Sequence, residues 1–144
     1  MQASSTLEVS VVIVTYNRCR ELVDAIETIS ASAGCSFEII VFDNGSDEET
    51  VSEVNRRFPD VVLMEGAKNQ GTCVTRNEAV ARSNGKYVWF LDSDVTVRDP
   101  EHMARLVEFM ESNPSVGVVG GEAVIDFAGE VVGTYIDSKG AHGY

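Results

Sequence analysis

Short apolar runs rich in β-branched residues alternate along this chain with stretches of helical periodicity, and that alternation restricts the possible folds more than any other feature. Val9-Ser-Val-Val-Ile-Val-Thr15 reads as a first strand, and Leu22, Val23, Ile26 and Ile29 then recur at the spacing of one helix face. Phe37-Glu-Ile-Ile-Val-Phe42 is a second strand. A helix near Glu48 to Arg57 follows it, with Ser46 and Glu49 at capping-box spacing and Pro59 as its stop. Val61 to Glu65 gives a third, shorter strand, and Asn69-Gln-Gly71 introduces a helix running to about Ser83 that Asn84-Gly85 should end as a C-terminal glycine does. The fourth run, Lys86 to Asp92, reads as a strand buried on both faces. Asp99-Pro100 offers an N-cap and a proline at the first position of a helix carrying Met103, Leu106, Val107 and Met110, and Asn113-Pro114 stops it. Val116 to Gly120 is expected as a fifth strand, and Glu122 to Ile125 with Glu130 to Tyr135 as a hairpin. The alternation predicts an α/β fold with a mostly parallel sheet flanked by helices.

A length of 144 residues suits a single domain over 1–144, with residues 1–7 expected as a disordered leader and 136–144 as a flexible tail. Hydrophobic content of 44% with 24% charged residues is ordinary for a soluble globular protein. The formal charge of −12 argues against a nucleic-acid backbone or an anionic membrane as main partner, and means that an anionic substrate needs a metal or local cations. Cys19, Cys35 and Cys73 show neither disulfide nor zinc spacing. The apolar stretch Val9 to Val14 is too short for a signal peptide and lacks a cationic leader, and no run has membrane-spanning length. The expected location is therefore cytoplasmic, with peripheral attachment at the inner face of a membrane compatible with it. Asn44-Gly45-Ser46 matches a glycosylation acceptor but reads better as a turn.

The chemistry sits on loops that follow strands. The fourth strand ends in Asp92-Ser93-Asp94, two carboxylates two residues apart, and such hard oxygen ligands suit Mg2+ or Mn2+ with positions left for substrate phosphates. Thr15-Tyr16-Asn17-Arg18 follows the first strand and Asp43 the second, so these polar groups converge on the carboxyl edge of the sheet, where open α/β folds bind ligands. Tyr16 offers a ring and hydroxyl to a base, Asp43 accepts hydrogen bonds from a base or ribose, and Arg76 answers a phosphate or a base carbonyl. Singly each has a plainer reading: Asp43 as a turn residue, Arg76 as a solvated helix charge, Asn17 as a helix cap, Asp92 or Asp94 as the cap of the next segment. Turn chemistry alone does not require acids at successive strand ends.

These motifs, in this order, resemble family 2 glycosyltransferases with the GT-A fold. The segments that carry the resemblance are Val-Val-Ile-Val-Thr15-Tyr16-Asn17-Arg18, Phe-Asp43-Asn-Gly-Ser46, Asn69-Gln-Gly71 with Arg76-Asn77, and Phe-Leu-Asp92-Ser93-Asp94, and they span roughly residues 8 to 125. The resemblance implies a Rossmann-like nucleotide-diphospho-sugar-binding domain, incomplete at its C-terminus, belonging to an inverting transferase. It implies a nucleotide-sugar-binding set of Thr15, Tyr16, Asn17, Asp43, Gly71, Arg76, Asp92 and Ser93, with Asp92 near the ribose and Asp94, helped by Asp92, on a Mn2+ or Mg2+ ion. The implied partners are a nucleotide-diphosphate sugar donor and a saccharide or lipid-linked acceptor. The sequence departs from the family pattern at Asn44, where a second Asp is frequent, and at Cys73-Val-Thr75, where small residues precede the Arg-Asn pair.

The family's catalytic base lies in an acidic motif well downstream of the Asp-x-Asp, and Asp126, Glu130 and Asp137 do not match it. The expectation is a donor-binding part of a transferase in which the base is absent. Two other classes compete with it. A non-catalytic nucleotide-sugar-binding module would keep the donor site without the base. A haloacid-dehalogenase-type phosphatase shares Asp92-Ser-Asp94-Val-Thr96, but that motif normally opens its fold, whereas four strands' worth of sequence precedes it here.

Overall fold

A computed structural model describes residues 7–120 of the chain. Four strands and four helices alternate: β1 (Val9–Thr15), α1 (Cys19–Ser30), β2 (Phe37–Asp43), α2 (Glu48–Arg57), β3 (Val62–Glu65), α3 (Thr72–Arg82), β4 (Tyr87–Asp92) and α4 (His102–Ser112). The strands form one sheet in the order β3-β2-β1-β4, and every pairing is parallel. The expected α/β architecture is therefore present in each of these elements. The chain divides into a unit that runs to Val107 and a second that begins at Glu108. In the second, the Asn113 amide donates to Met110 O and that of Val116 to Asn113 O, closing the helix end at the Asn113-Pro114 stop.

Because side chains alternate across a strand, each strand supplies two faces. Val9, Val11 and Ile13 of β1, Ile39 and Val41 of β2, and Leu91 of β4 pack with Leu22, Ile26 and Ile29 of α1, Val54 of α2 and Met103 and Val107 of α4. Val12, Ile40 and Phe42 face the other way and pack on Ala79 of α3. The helix after β1 and the helix before β4 thus lie on opposite faces, and β1 is where the connections reverse direction. In a doubly wound sheet that reversal opens a crevice at the carboxyl ends of the two strands, here those of β1 and β4.

Four local expectations are corrected. The run at β4 is not buried on both faces: β4 is an edge strand among the described residues, and Phe90 remains 46% exposed. Both-face burial belongs instead to β1 and to the second half of β2. Residues 116–120 form no strand; the glycines at 117 and 120 and the absence of a sheet partner among the described residues leave three valines with nothing to pair against. Helix α4 begins at His102 rather than at Pro100, although Asp99 still caps the turn by accepting from the Glu101 amide. The expected hairpin at 122–135 lies outside the described residues.

The last correction concerns Asn84-Gly85. Helix α3 ends with Ser83 in an extended conformation, and Gly85 is not in the left-handed region. Glycine is needed there for space, because a Cβ would come 2.4 Å from Ser10 N and 2.6 Å from Val9 C. At this point the chain crosses β1, and a polar knot holds it. Fully buried Ser10 accepts from Gly85 N (2.8 Å) and donates to Glu38 Oε1 (2.6 Å), which also accepts from Asn84 N (2.7 Å). Burial pushes the Glu38 carboxyl up, but the hydrogen bonds from Ser10 and Asn84 and the Arg82 charge outweigh it and leave its pKa lowered from 4.5. A depressed carboxyl pKa contributes stability that is fully present above the unfolded value and is lost as pH falls through the folded value. Glu38→Gln is therefore expected to be less stable than the wild type at pH 7, with the difference shrinking below about pH 4.5. Urea unfolding at several pH values checks this, and Glu38→Ala, which strands the Ser10 hydroxyl, should cost about 1–3 kcal/mol at neutral pH.

Candidate functional site

Thr15 and Asp43 are register partners at the ends of β1 and β2, and Val14 is opposite Asp92 of β4. Three strand ends therefore deliver their polar residues to one edge. Thr15 and Asp43 are each only 2% exposed, yet Thr15 Oγ1 and Asp43 Oδ1 have no hydrogen-bond partner within the protein. The second Asp43 oxygen accepts from Ser46 N at 2.9 Å, which fixes the carboxylate and leaves Oδ1 as an unanswered acceptor. Buried polar atoms are almost always paired, and an orphaned pair at adjacent strand ends asks for a partner from outside the protein, water or ligand; the third such atom among the described residues, Ser32 Oγ, follows the C-terminus of α1 instead.

The loops around these two residues are tied together. Asn44 N donates to Thr15 O at 2.9 Å, and Asn17 N donates to Ser46 Oγ at 2.8 Å. Asn17 is not a helix cap. It takes a left-handed conformation at φ 54, and its Oδ1 accepts from Asp47 N, so it joins the β1–α1 loop to the β2–α2 loop. The expected capping box also shifts by one residue. Asp47 is the N-cap of α2, accepting from the amide and hydroxyl of Thr50, because the Ser46 hydroxyl is engaged by Asn17. Tyr16, 48% exposed, stands free on the rim.

Across the crevice, Asp92 and Asp94 each meet an arginine. Asp92 shares the α3 face of the sheet, and Arg76 of α3 donates to its Oδ1 at 2.9 Å while lying 5.5 Å from the Phe90 ring centroid. Arg18, at the start of α1, donates to Asp94 Oδ2 at 3.1 Å. Ser93 between the acids is buried. Gly71 precedes α3 at φ 86, ψ 153, a backbone conformation open essentially to glycine alone. All the expected site residues lie on the strand ends, the loops after them and the first turns of α3 at the carboxyl edge, with Arg18, Asn44 and Asn69 as further participants. Sequence reading noted Arg18 and Asn44 inside motifs without a role, since their partners are 76 and 25 residues away.

Among the described residues no group of three or more His, Cys, Asp or Glu side chains is arranged to hold a metal ion. Asp92 and Asp94 alone provide hard, largely exposed carboxylate oxygens, with side-chain exposures of 70% and 48%. This fits an ion such as Mg2+ or Mn2+, which keeps waters and shares its sphere with phosphates, and does not fit a closed structural site.

The sequence model of glycosyl transferase family 2 matches residues 10–131. The chain belongs to that family. An uncharacterized glycosyltransferase of Haemophilus influenzae is 30% identical over 110 residues, which cover 76% of this chain and 37% of that protein. The glucosyl-dolichyl phosphate glucuronosyltransferase of Haloferax volcanii is 30% identical over 125 residues, 84% of this chain and 40% of that one. The mannosyltransferase PcManGT of Pyrobaculum calidifontis, solved with GDP-Man and Mn2+, superposes with a TM-score of 0.68 at 22% identity over 85% of this chain and 36% of its own, and so shares the GT-A fold. The chain thus spans about two fifths or less of the length of these relatives. Because the family match runs through residues 92–96, the phosphatase-like signature there is a local similarity within a glycosyltransferase sequence. No helix among the described residues is long and apolar enough to cross a membrane.

Gly71→Ala forces an L side chain into a conformation with no other neighbour within 4 Å, so its whole cost is backbone strain. The expected loss is about 1–3 kcal/mol in denaturant unfolding, and no loss would show that the α3 start relaxes freely.

Proposed function

We propose that residues 7–120 form the donor site of a divalent-metal-dependent, inverting glycosyltransferase that takes a nucleotide-diphosphate sugar. The observation that carries this reading is the pair of buried, unpartnered atoms, Thr15 Oγ1 and Asp43 Oδ1. A carboxylate oxygen is an acceptor only, so Asp43 Oδ1 calls for an N–H or O–H donor, and we assign it to the base. The imide N–H of uracil and the ring N–H and amino group of guanine are such donors, and we assign Tyr16 on the rim to a base face. GDP-Man in the mannosyltransferase of similar fold supports the class of ligand.

Charge supports the rest. Asp43, Asp92 and Asp94 against Arg18 and Arg76 leave one negative charge in excess before a diphosphate arrives. We assign Asp94, with Asp92, to the ion, Asp92 also to the ribose, and Arg76 to the diphosphate, while Asn17, Gly71 and Ser93 shape the loops. Arg18 must leave Asp94 for this, at small cost, because a half-exposed ion pair contributes only about 0–1 kcal/mol. Bound there, a divalent cation would neutralise charge developing on the diphosphate leaving group. The chain's own residues then hold the base and ribose rigidly, so that the anomeric carbon is presented to an acceptor hydroxyl from the face opposite the diphosphate. A carboxylate base removes that hydroxyl's proton, and we assign it to none of the donor-site residues. The acceptor, saccharide or lipid-linked, belongs to the same proposal; the dolichyl phosphate named in the Haloferax relative supports the lipid-linked form.

Asp43→Asn keeps an acceptor for Ser46 N and replaces the free oxygen by a donor, so the fold should survive while a base N–H meets another N–H. The expected result by calorimetry is a 10- to 150-fold weaker affinity for UDP or GDP with Mn2+, the range of a hydrogen bond to a charged group. Asp94→Ala should remove the dependence of that affinity on Mn2+. Unchanged affinity in Asp43→Asn, or a wild type that binds neither nucleotide, overturns the reading.

A further inference from the structure

Asn44 is 3% exposed and directly follows Asp43, and its amide makes bonds in both directions. Nδ2 donates to Asn69 Oδ1 at 3.0 Å, and Oδ1 accepts from Gln70 N at 2.9 Å. Asn69 Oδ1 also accepts from Gly71 N at 3.0 Å. One buried side chain just past the end of β2 therefore holds Asn69 and Gln70 directly and Gly71 through Asn69. From Gly71 the link continues inward, since the fully buried Thr75 hydroxyl donates to Gly71 O at 3.1 Å, and the next residue is Arg76 on Asp92.

We propose that the Asn44–Asn69 amide clasp is a positioning device: it sets Arg76 relative to Asp43, so that the base and diphosphate parts of one nucleotide are recognised at a fixed separation. This rests on the donor-site reading above. Asn44 itself touches no substrate group and acts through the α3 start. An amide serves both neighbours in this chain, because position 44 donates to Asn69 and accepts from Gln70 at once. A carboxylate there still accepts from Gln70 N but opposes Asn69 Oδ1, acceptor to acceptor. Rotating the Asn69 amide to offer its NH2 would take the oxygen away from Gly71 N, so one bond is lost in either arrangement. A protonated carboxyl group, by contrast, reproduces the amide's pattern of one donor and one acceptor.

That difference supplies the test. Calorimetry with UDP and GDP in Mn2+ is run on wild type, Asn44→Asp, Asn69→Ala, Arg76→Ala and the double variant Asn69→Ala/Arg76→Ala, with amide hydrogen exchange of Gln70 and Gly71 measured in parallel. Asn69 is exposed, so its variant does not threaten the core. Asn69→Ala should weaken nucleotide binding about ten-fold and speed exchange at Gly71. The double variant should bind within about two-fold of Arg76→Ala, because both changes remove the same contact. Asn44→Asp should bind about ten-fold more weakly than wild type at pH 8 and approach it at a pH low enough to protonate the introduced carboxyl. Losses that multiply in the double variant, or a ratio of Asn44→Asp to wild type that does not change with pH, overturn the clasp while leaving the donor site standing. A wild type that binds neither nucleotide overturns both, whatever the exchange rates show.

Discussion

Every functional feature of this chain depends on the pairing of β1 with a parallel neighbour on each side. β1 is hydrogen-bonded to β2 and β4 along its length and covered on both faces, with Val9, Val11 and Ile13 toward α1 and Val12 toward α3. Burying each such side chain contributes about 1.5–3 kcal/mol, so the register is strongly specified. A slip of one residue would exchange its two faces and turn Thr15 away from Asp43. The polar knot of Ser10, Glu38 and Asn84 pins the opposite end of the same three strands. Hydrophobic burial thus fixes the scaffold, and the register converts it into a placement of Thr15, Asp43 and Asp92 at one edge.

The site built on that edge is electrostatically unfinished. Asp92 and Asp94 are matched by Arg76 and Arg18 in exposed pairs that are weak and easily exchanged, whereas Asp43 keeps a buried oxygen that nothing in the protein answers. The two kinds of group suit two tasks. On the proposed reading, rigid, dry Asp43 and Thr15 would discriminate a base, and exposed Asp92 and Asp94 with their exposed counter-charges would accommodate an ion and a diphosphate. An overall charge of −12 would make that ion more necessary, since an unaccompanied diphosphate would be repelled.

Much of the scaffold was legible because period and punctuation are local. Strands β1 to β4 and helices α2 and α3 fall within a residue or so of where the sequence pattern placed them, and α1 buries the expected Leu22, Val23, Ile26 and Ile29. The errors share a physical origin in packing partners that a linear sequence does not name. Tyr87 to Leu91 is as apolar as a central strand, yet it is an edge whose Phe90 stays half exposed. The valines near 116 have strand propensity but no partner among the described residues. Gly85 looks like a helix terminator and is in fact a point of contact with the backbone of β1. In the site, Asp43, Arg76, Asp92 and Asp94 were visible as acids and a base at strand ends and a helix start. The links from Arg18 to Asp94 and from Asn44 to Asn69 were not, because hydrogen bonds between distant polar residues leave no periodic signal.

The most direct measurement is a crystal structure of the chain grown with UDP or GDP and Mn2+. The expected result is a base N–H within hydrogen-bond distance of Asp43 Oδ1, a partner for Thr15 Oγ1 from the same nucleotide, and a metal peak between Asp94 and the diphosphate with Arg18 released. A nucleotide bound elsewhere, for example in the recess beside Phe58 and Val61 at the far end of the strands, or bound with Asp43 Oδ1 still unpartnered, would contradict the account.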